Sequence, residues 1–172
     1  METGQKNAGR VKRDAILKNE MQITFDAISV NEAFARVAVA AFVTPLNPTI
    51  EEISDIKTAV SEAVTNAIIH GYDAEYMGES GAEKNNKVYL HCMIEDDVLY
   101  VEVKDMGKGI VDVDQAMEPL FTTKPEMDRS GMGFAFMEAF MDDLEVISEP
   151  GRGTLVQMKK KLGTTSWLGQ EE

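Results

Sequence analysis

The chain of 172 residues contains one cysteine, Cys92. No intrachain disulfide can form, which agrees with a reducing compartment, and Cys92 reads as a small apolar residue of a buried strand. Long apolar runs are also missing. The longest, residues 37–43, falls far short of the roughly 20 residues that a membrane-crossing helix needs. Residues 1–15, METGQKNAGRVKRDA, are basic but have no apolar stretch behind them, so they do not read as a secretory signal and a cytoplasmic protein is expected. Basic residues are scarce overall: 17 Lys and Arg stand against 30 Asp and Glu, a net charge of −13. That balance argues against direct binding to a nucleic-acid backbone and leaves either simple solubility or a basic protein partner. With 44% hydrophobic residues, the chain is rich enough in apolar side chains for one globular domain with a core of its own.

Residues 1–18 are polar, lack a sustained period and read as a flexible arm; residues 19–161 read as the domain and 162–172 as a tail. In 21–27, Met21, Ile23 and Phe25 alternate with polar residues, which predicts a strand. Ser29 with Glu32, and Thr49 with Glu52, have the spacing of capping boxes and predict two helices. The first would carry an apolar face of Val30, Phe34, Val37, Ala38 and Ala41, with Arg36 turned to solvent, and would end before Pro45 and Pro48. The second would run to Gly71 over a core stripe of Ile53, Ile56, Val60, Val64 and Ala67. Residues 73–86 read as a loop, 87–94 and 98–103 as a hairpin, and 119–134 as a second loop that becomes a helix around 132–141. Two strands, 144–148 and 154–160, close the chain around EPGRG. This order predicts an α/β two-layer sandwich: a mixed, mostly antiparallel sheet covered on one face by about three helices.

Four elements carry chemistry. On the second helix Glu62, Asn66 and His70 recur at fourfold spacing, forming a polar row roughly opposite the core stripe. A core helix needs no such row; a solvated face or a cleft-facing one would each produce it. Asp105-Met106-Gly107-Lys108-Gly109 follows a strand directly. As a bare pattern it is an ordinary surface turn, but a strand-end carboxylate can also accept a hydrogen bond from an exocyclic amine such as that of adenine. Ser130-Gly131-Met132-Gly133-Phe134 enters a helix, and free N–H groups at a helix start suit phosphate as well as a plain cap. Lys124 and Arg129 lie just upstream and could add charge there. Gly151-Arg152-Gly153-Thr154 is by itself a hairpin turn.

In this order the four elements resemble the GHKL family of ATP-binding domains: EAVTNAIIHG matches its N box, DMGKGI and RSGMGF its glycine boxes, and GRGT its terminal Gly-Thr element. No GxxxxGK[ST] occurs, so the P-loop family does not fit. Within the family, NEAFARVAVAAFV, SEAVTNAIIHGY, PLFTTKPEMDRSGMGF and MEAFMDD resemble the sporulation branch of the bacterial anti-sigma serine kinases, over about residues 18–161. The resemblance implies ATP and Mg²⁺ as cofactors and Glu62 as general base toward a serine hydroxyl. It implies Asn66 as the protein ligand of Mg²⁺, and Asp105, helped by Thr154, as the reader of the adenine amine. Gly107 and Gly109 would shape the adenine pocket. Residues 122–133 would form a lid over the phosphates, with Thr122, Thr123, Lys124, Arg129, Ser130, Gly131, Met132 and Gly133 in contact. The implied partners are the sporulation sigma factor, sigma F, and a small anti-anti-sigma protein that carries the phosphorylated serine. A homodimer is implied too, and Arg36 matches an arginine of the partner-binding surface. Neither a membrane nor a direct nucleic-acid contact is expected.

The chain differs from the family pattern in its arm, its longer loop after the N box and its tail. His70 reads as a pocket or structural residue and His91 as a strand residue. Two alternatives stand beside the kinase: a nucleotide-bound binding module without phosphotransfer, and an anti-sigma kinase for a stress sigma factor. A base at Glu62 favours a kinase over a binder, and the lid and helix strings favour the sporulation branch.

Overall fold

The alternation of Met21, Ile23 and Phe25 sets the first strand, β1 (Lys18–Asp26), with those side chains turned toward the helices and Phe25 buried. The computed structural model describes residues 18–72, 86–120 and 131–163. The expected arm apart from Lys18, which opens β1, the loop after the N box apart from Asn86, most of the lid with Thr122, Thr123, Lys124, Arg129 and Ser130, and most of the tail lie outside the described residues. Around β1 the order is α1 (Val30–Phe42), α2 (Ile50–Asn66), β2 (Lys87–Glu95), β3 (Val98–Asp105), α3 (Val113–Met117), α4 (Gly133–Phe140), β4 (Asp143–Glu149) and β5 (Gly153–Lys161). The sheet runs β1-β2-β3-β5-β4, and all its described pairings are antiparallel. The register places Val88, Leu90, Cys92 and Ile94 of β2 beside Leu99, Val101 and Val103 of β3 on the helix side, all buried. Burial of each large aliphatic side chain contributes about 1.5–3 kcal/mol, and this layer is what α2 packs on. The fold class is the expected two-layer sandwich, and its strand order brings the C-terminal end of β3 beside the hairpin of β4 and β5.

Two local expectations are corrected. The Thr49–Glu52 capping box forms as predicted, with N–H···O contacts of 3.1 and 2.6 Å. The Ser29–Glu32 box does not: Ser29 makes no side-chain cap, and Glu32 instead accepts from the Ser61 hydroxyl of α2 and pairs with Arg36 at 3.5 Å. The Glu32 side chain is turned toward Ser61 and Arg36 and away from the backbone of its own N-terminus. The apolar face predicted for α1 is also not the one that packs. Ala35 and Val39 are fully buried, whereas Val30, Phe34 and Val37 are 71%, 52% and 58% exposed. Residues 34–43 contain two apolar stripes at the same helical spacing, so periodicity could not choose between them. On α2 the predicted stripe is buried at Ile56, Val60, Val64 and Ala67, with Ile53 at its margin.

His91 has a larger part than a plain strand residue. On the outer sheet face its ring nitrogens lie 2.8 Å from Glu20 of β1 and 3.1 Å from Glu102 of β3, and Gln157 of β5 donates to Glu102 at 2.6 Å. Hydrogen bonding to Glu102, followed by that to Glu20, raises the His91 pKa above its ordinary 6.5, against the opposing effect of burial. A histidine whose folded pKa is raised stabilises the fold fully below its unfolded value and loses that contribution as pH rises through the folded one. Wild type should therefore exceed His91→Gln in thermal midpoint by more near about pH 6 than near about pH 9, with a difference below about 1 kcal/mol because the pairs are partly exposed. Thermal melts at the two pH values check this, and an equal gap at both would refute it.

Candidate active site

At the end of α2 the helical hydrogen-bond pattern widens into a π-turn, Ala67–Gly71, before Tyr72. Such turns shift the side chains that follow, and here His70 and Gly71 come to line a cavity of about 540 Å³. Asn66, Ala63 and Ala67 complete that wall. The polar row of Glu62, Asn66 and His70 thus borders the core stripe instead of opposing it, since Ala63 and Ala67 between its members are buried. The volume falls in the ordinary range for small-molecule pockets.

The floor is the end of β3. Asp105 is 3% exposed, the one buried charged residue among those described. Burial raises its carboxyl pKa, while the backbone N–H groups of Gly107 and Thr154 donate to it and oppose that rise. The Gly107 contact measures 2.8 Å. Gly107 admits no side chain: a Cβ there would sit 2.0 Å from the Gly71 carbonyl oxygen. The glycine lets the D-x-G turn press against the end of the N-box helix, where Lys108 N–H donates to the same carbonyl at 2.9 Å. Gly109 and Thr154 line the cavity, together with Lys108, Ile110 and Val111.

The opposite wall is the start of α4. Gly131 and Gly133 line the cavity, and Met132 is the N-terminal flanking residue of α4. Leu120 N–H donates to the Gly131 carbonyl at 2.9 Å, so the two described ends of the lid segment meet. Glu62 does not line the cavity itself but reaches its rim. The point where a Gly133 Cβ would stand is 3.0 Å from Glu62 Oε2 and 3.4 and 3.5 Å from the Asn66 amide atoms. The carboxylate and the amide therefore converge on the N-terminus of α4, the end of the helix dipole that favours an anion.

Of the residues singled out in the sequence, Asn66, Asp105, Gly109, Gly131, Gly133 and Thr154 line one cavity, Glu62 reaches its rim, and Gly107 and Met132 do not line it but are chain neighbours of residues that do. Arg36 is elsewhere, half-exposed on α1. Sequence reasoning missed Ser148. Its hydroxyl accepts from Ile110 N–H at 2.8 Å, donates to the Gly153 carbonyl at 3.0 Å and lies 2.9 Å from the Thr154 hydroxyl. A serine ending a strand gives no signal of that kind. Lys108 was visible only as a spacer between two glycines.

Known proteins resemble this chain along most of its length. The profile of the histidine kinase-like ATPase domain matches residues 24–160. The anti-sigma F factor of Oceanobacillus iheyensis is 54% identical over 146 residues, covering 85% of this chain and 94% of the relative. That of Bacillus subtilis is 51% identical over 152 residues, covering 88% and 99%. A solved structure of the RsbU and RsbW domains of a Mycobacterium tuberculosis protein superposes with a TM-score of 0.58 at 19% identity; it covers 84% of this chain, which spans 32% of that longer one. At that identity the likeness concerns the fold. Among the described residues no helix is long and apolar enough to cross a membrane.

Proposed function

Because this chain belongs to the anti-sigma F factor family and is built on the histidine kinase-like ATPase domain, we propose that it is an ATP-dependent serine kinase that also holds its sigma factor. The observation that carries the reading is the convergence of Glu62 and Asn66 on the start of α4, across one cavity from the buried Asp105. The adenine would lie on Asp105 and Thr154, and the phosphates would point toward Gly131 and Gly133, where the helix start favours negative charge. Asn66 offers one amide oxygen at that end. A cation such as Mg²⁺, which commonly takes few protein ligands and the rest from phosphate and water, suits such a donor. When bound, Mg²⁺ would neutralise charge on the phosphates. Glu62 would orient the incoming serine hydroxyl and accept its proton, and the remaining acceleration would come from positioning.

The substrate is then a serine on a small anti-anti-sigma protein, and the second partner is sigma F, held by a homodimer. Arg36 is half-exposed and braced by Glu32, as an arginine of a partner surface would be. The domain is read as residues 19–161, with the lid contacts extending to Thr122, Thr123, Lys124, Arg129, Ser130 and Met132. The test is transfer of labelled γ-phosphate from Mg·ATP to the candidate anti-anti-sigma protein. Transfer is expected; ATP binding without transfer to any serine would leave a nucleotide-bound binding module and overturn the kinase. Asp105→Asn should weaken ATP binding by about tenfold or more, because an ionised acceptor becomes a neutral amide. Calorimetric titration measures this, and wild-type affinity in the variant would remove Asp105 from the adenine site.

A further inference from the structure

Tyr72 follows the π-turn directly, and its ring packs against the core. Its hydroxyl donates to the Lys87 carbonyl at 2.6 Å and accepts from the Met106 N–H at 2.7 Å. One oxygen thus joins the end of the N-box helix, the first residue of β2 and the residue after Asp105. The next two N–H groups along that turn are tied as well. Gly107 donates to the Asp105 carboxylate at 2.8 Å, and Lys108 to the Gly71 carbonyl at 2.9 Å. Three successive amides of the D-x-G turn are therefore fixed, and two of their acceptors come from the adjacent residues 71 and 72.

We propose that Tyr72 is a positioning residue that holds the Asp105 carboxylate in line with the purine amine and so sets the preference for adenine over guanine nucleotides. The proposal rests on the reading of Asp105 as the adenine contact. At the position in question adenine presents an amine donor and guanine a carbonyl acceptor. A carboxylate held in line accepts from the first and repels the second. If the turn loosens, the attraction weakens with geometry and so does the repulsion, so ATP loses affinity and GTP does not. Removal of the hydroxyl alone tests this, because Phe retains the packed ring while both hydrogen bonds are lost. A purely structural role would weaken the two nucleotides together and leave their ratio unchanged.

The experiment is titration of the full chain with Mg·ATP and Mg·GTP, for wild type, Tyr72→Phe and Asp105→Asn, together with amide hydrogen exchange at Met106. In Tyr72→Phe, ATP affinity is expected to fall about fivefold with GTP affinity held, and the Met106 amide to exchange faster. Equal losses for the two nucleotides would overturn the proposal. So would an unchanged ratio in Tyr72→Phe when Asp105→Asn has lowered it. If Asp105→Asn leaves the ratio intact, the adenine reading fails, and the role of Tyr72 fails with it.

Discussion

Glu62→Gln is expected to lower phosphoryl transfer by about 10²- to 10⁴-fold, the usual contribution of a positioned general base, while ATP affinity stays near that of wild type. The reason is positional. Oε2 of Glu62 stands 3.0 Å from the site of a Gly133 Cβ, at the start of α4 and not on the purine end of the cavity. Glutamine keeps the volume and can still orient a hydroxyl through its carbonyl oxygen, but it cannot accept the proton. The loss should therefore appear in turnover and leave nucleotide binding alone. Single-turnover transfer measured beside equilibrium ATP titration separates the two. Undiminished transfer by the variant would remove Glu62 from the chemistry. Loss of ATP binding in parallel would make it a pocket residue.

The second large effect is expected at Gly153, where β5 begins beside the end of β3. Its φ is +88°, and a Cβ there would lie 2.1 Å from the Asp105 carbonyl oxygen. Strain in the left-handed region and overpacking against backbone each cost on the order of 1–3 kcal/mol, so Gly153→Ala should lose about 3 kcal/mol of stability. The strands could relieve the contact only by parting where Asp105 and Thr154 meet, so ATP affinity should fall too. Denaturant titration with and without ATP checks both effects. A variant as stable as wild type with full ATP affinity would show that the turn can shift aside. Gly151→Ala in the same turn is the control: its φ is +78°, but no atom lies within 4 Å of its would-be Cβ, so it carries strain without collision.

How far the sequence could be read depended on how local each determinant is. Strand alternation in β1 and the Thr49–Glu52 box are fixed by neighbours within four residues, and both were legible. The packing face of α1 was not, because two apolar stripes share one spacing and only contact with α2 selects between them. Glu32 shows the same limit: its box partner Ser29 is three residues away, yet it bonds to Ser61, 29 residues on. In the site, each motif alone had an ordinary reading as a turn, a cap or a solvated face, and only the four together, in their order along the chain, pointed to one pocket. Tyr72 and Ser148 gave no such signal, since a tyrosine after a helix and a serine in a strand have many ordinary uses. What defines them is a hydroxyl brought by the fold to two backbone groups outside its own element: those of Lys87 and Met106 for Tyr72, and of Ile110 and Gly153 for Ser148.

The single thiol at the centre of β2 gives the fold its own clock. Cys92 is fully buried, and burial pushes its pKa up to about 12, so a thiol reagent cannot modify it in the closed sheet. Each modification event must then record a parting of β2 from the helices or from its neighbouring strands. Any ligand that binds only the closed form slows that reaction in proportion to its occupancy. The rate of labelling would thus report nucleotide or partner binding in the unmodified protein, without a probe being introduced.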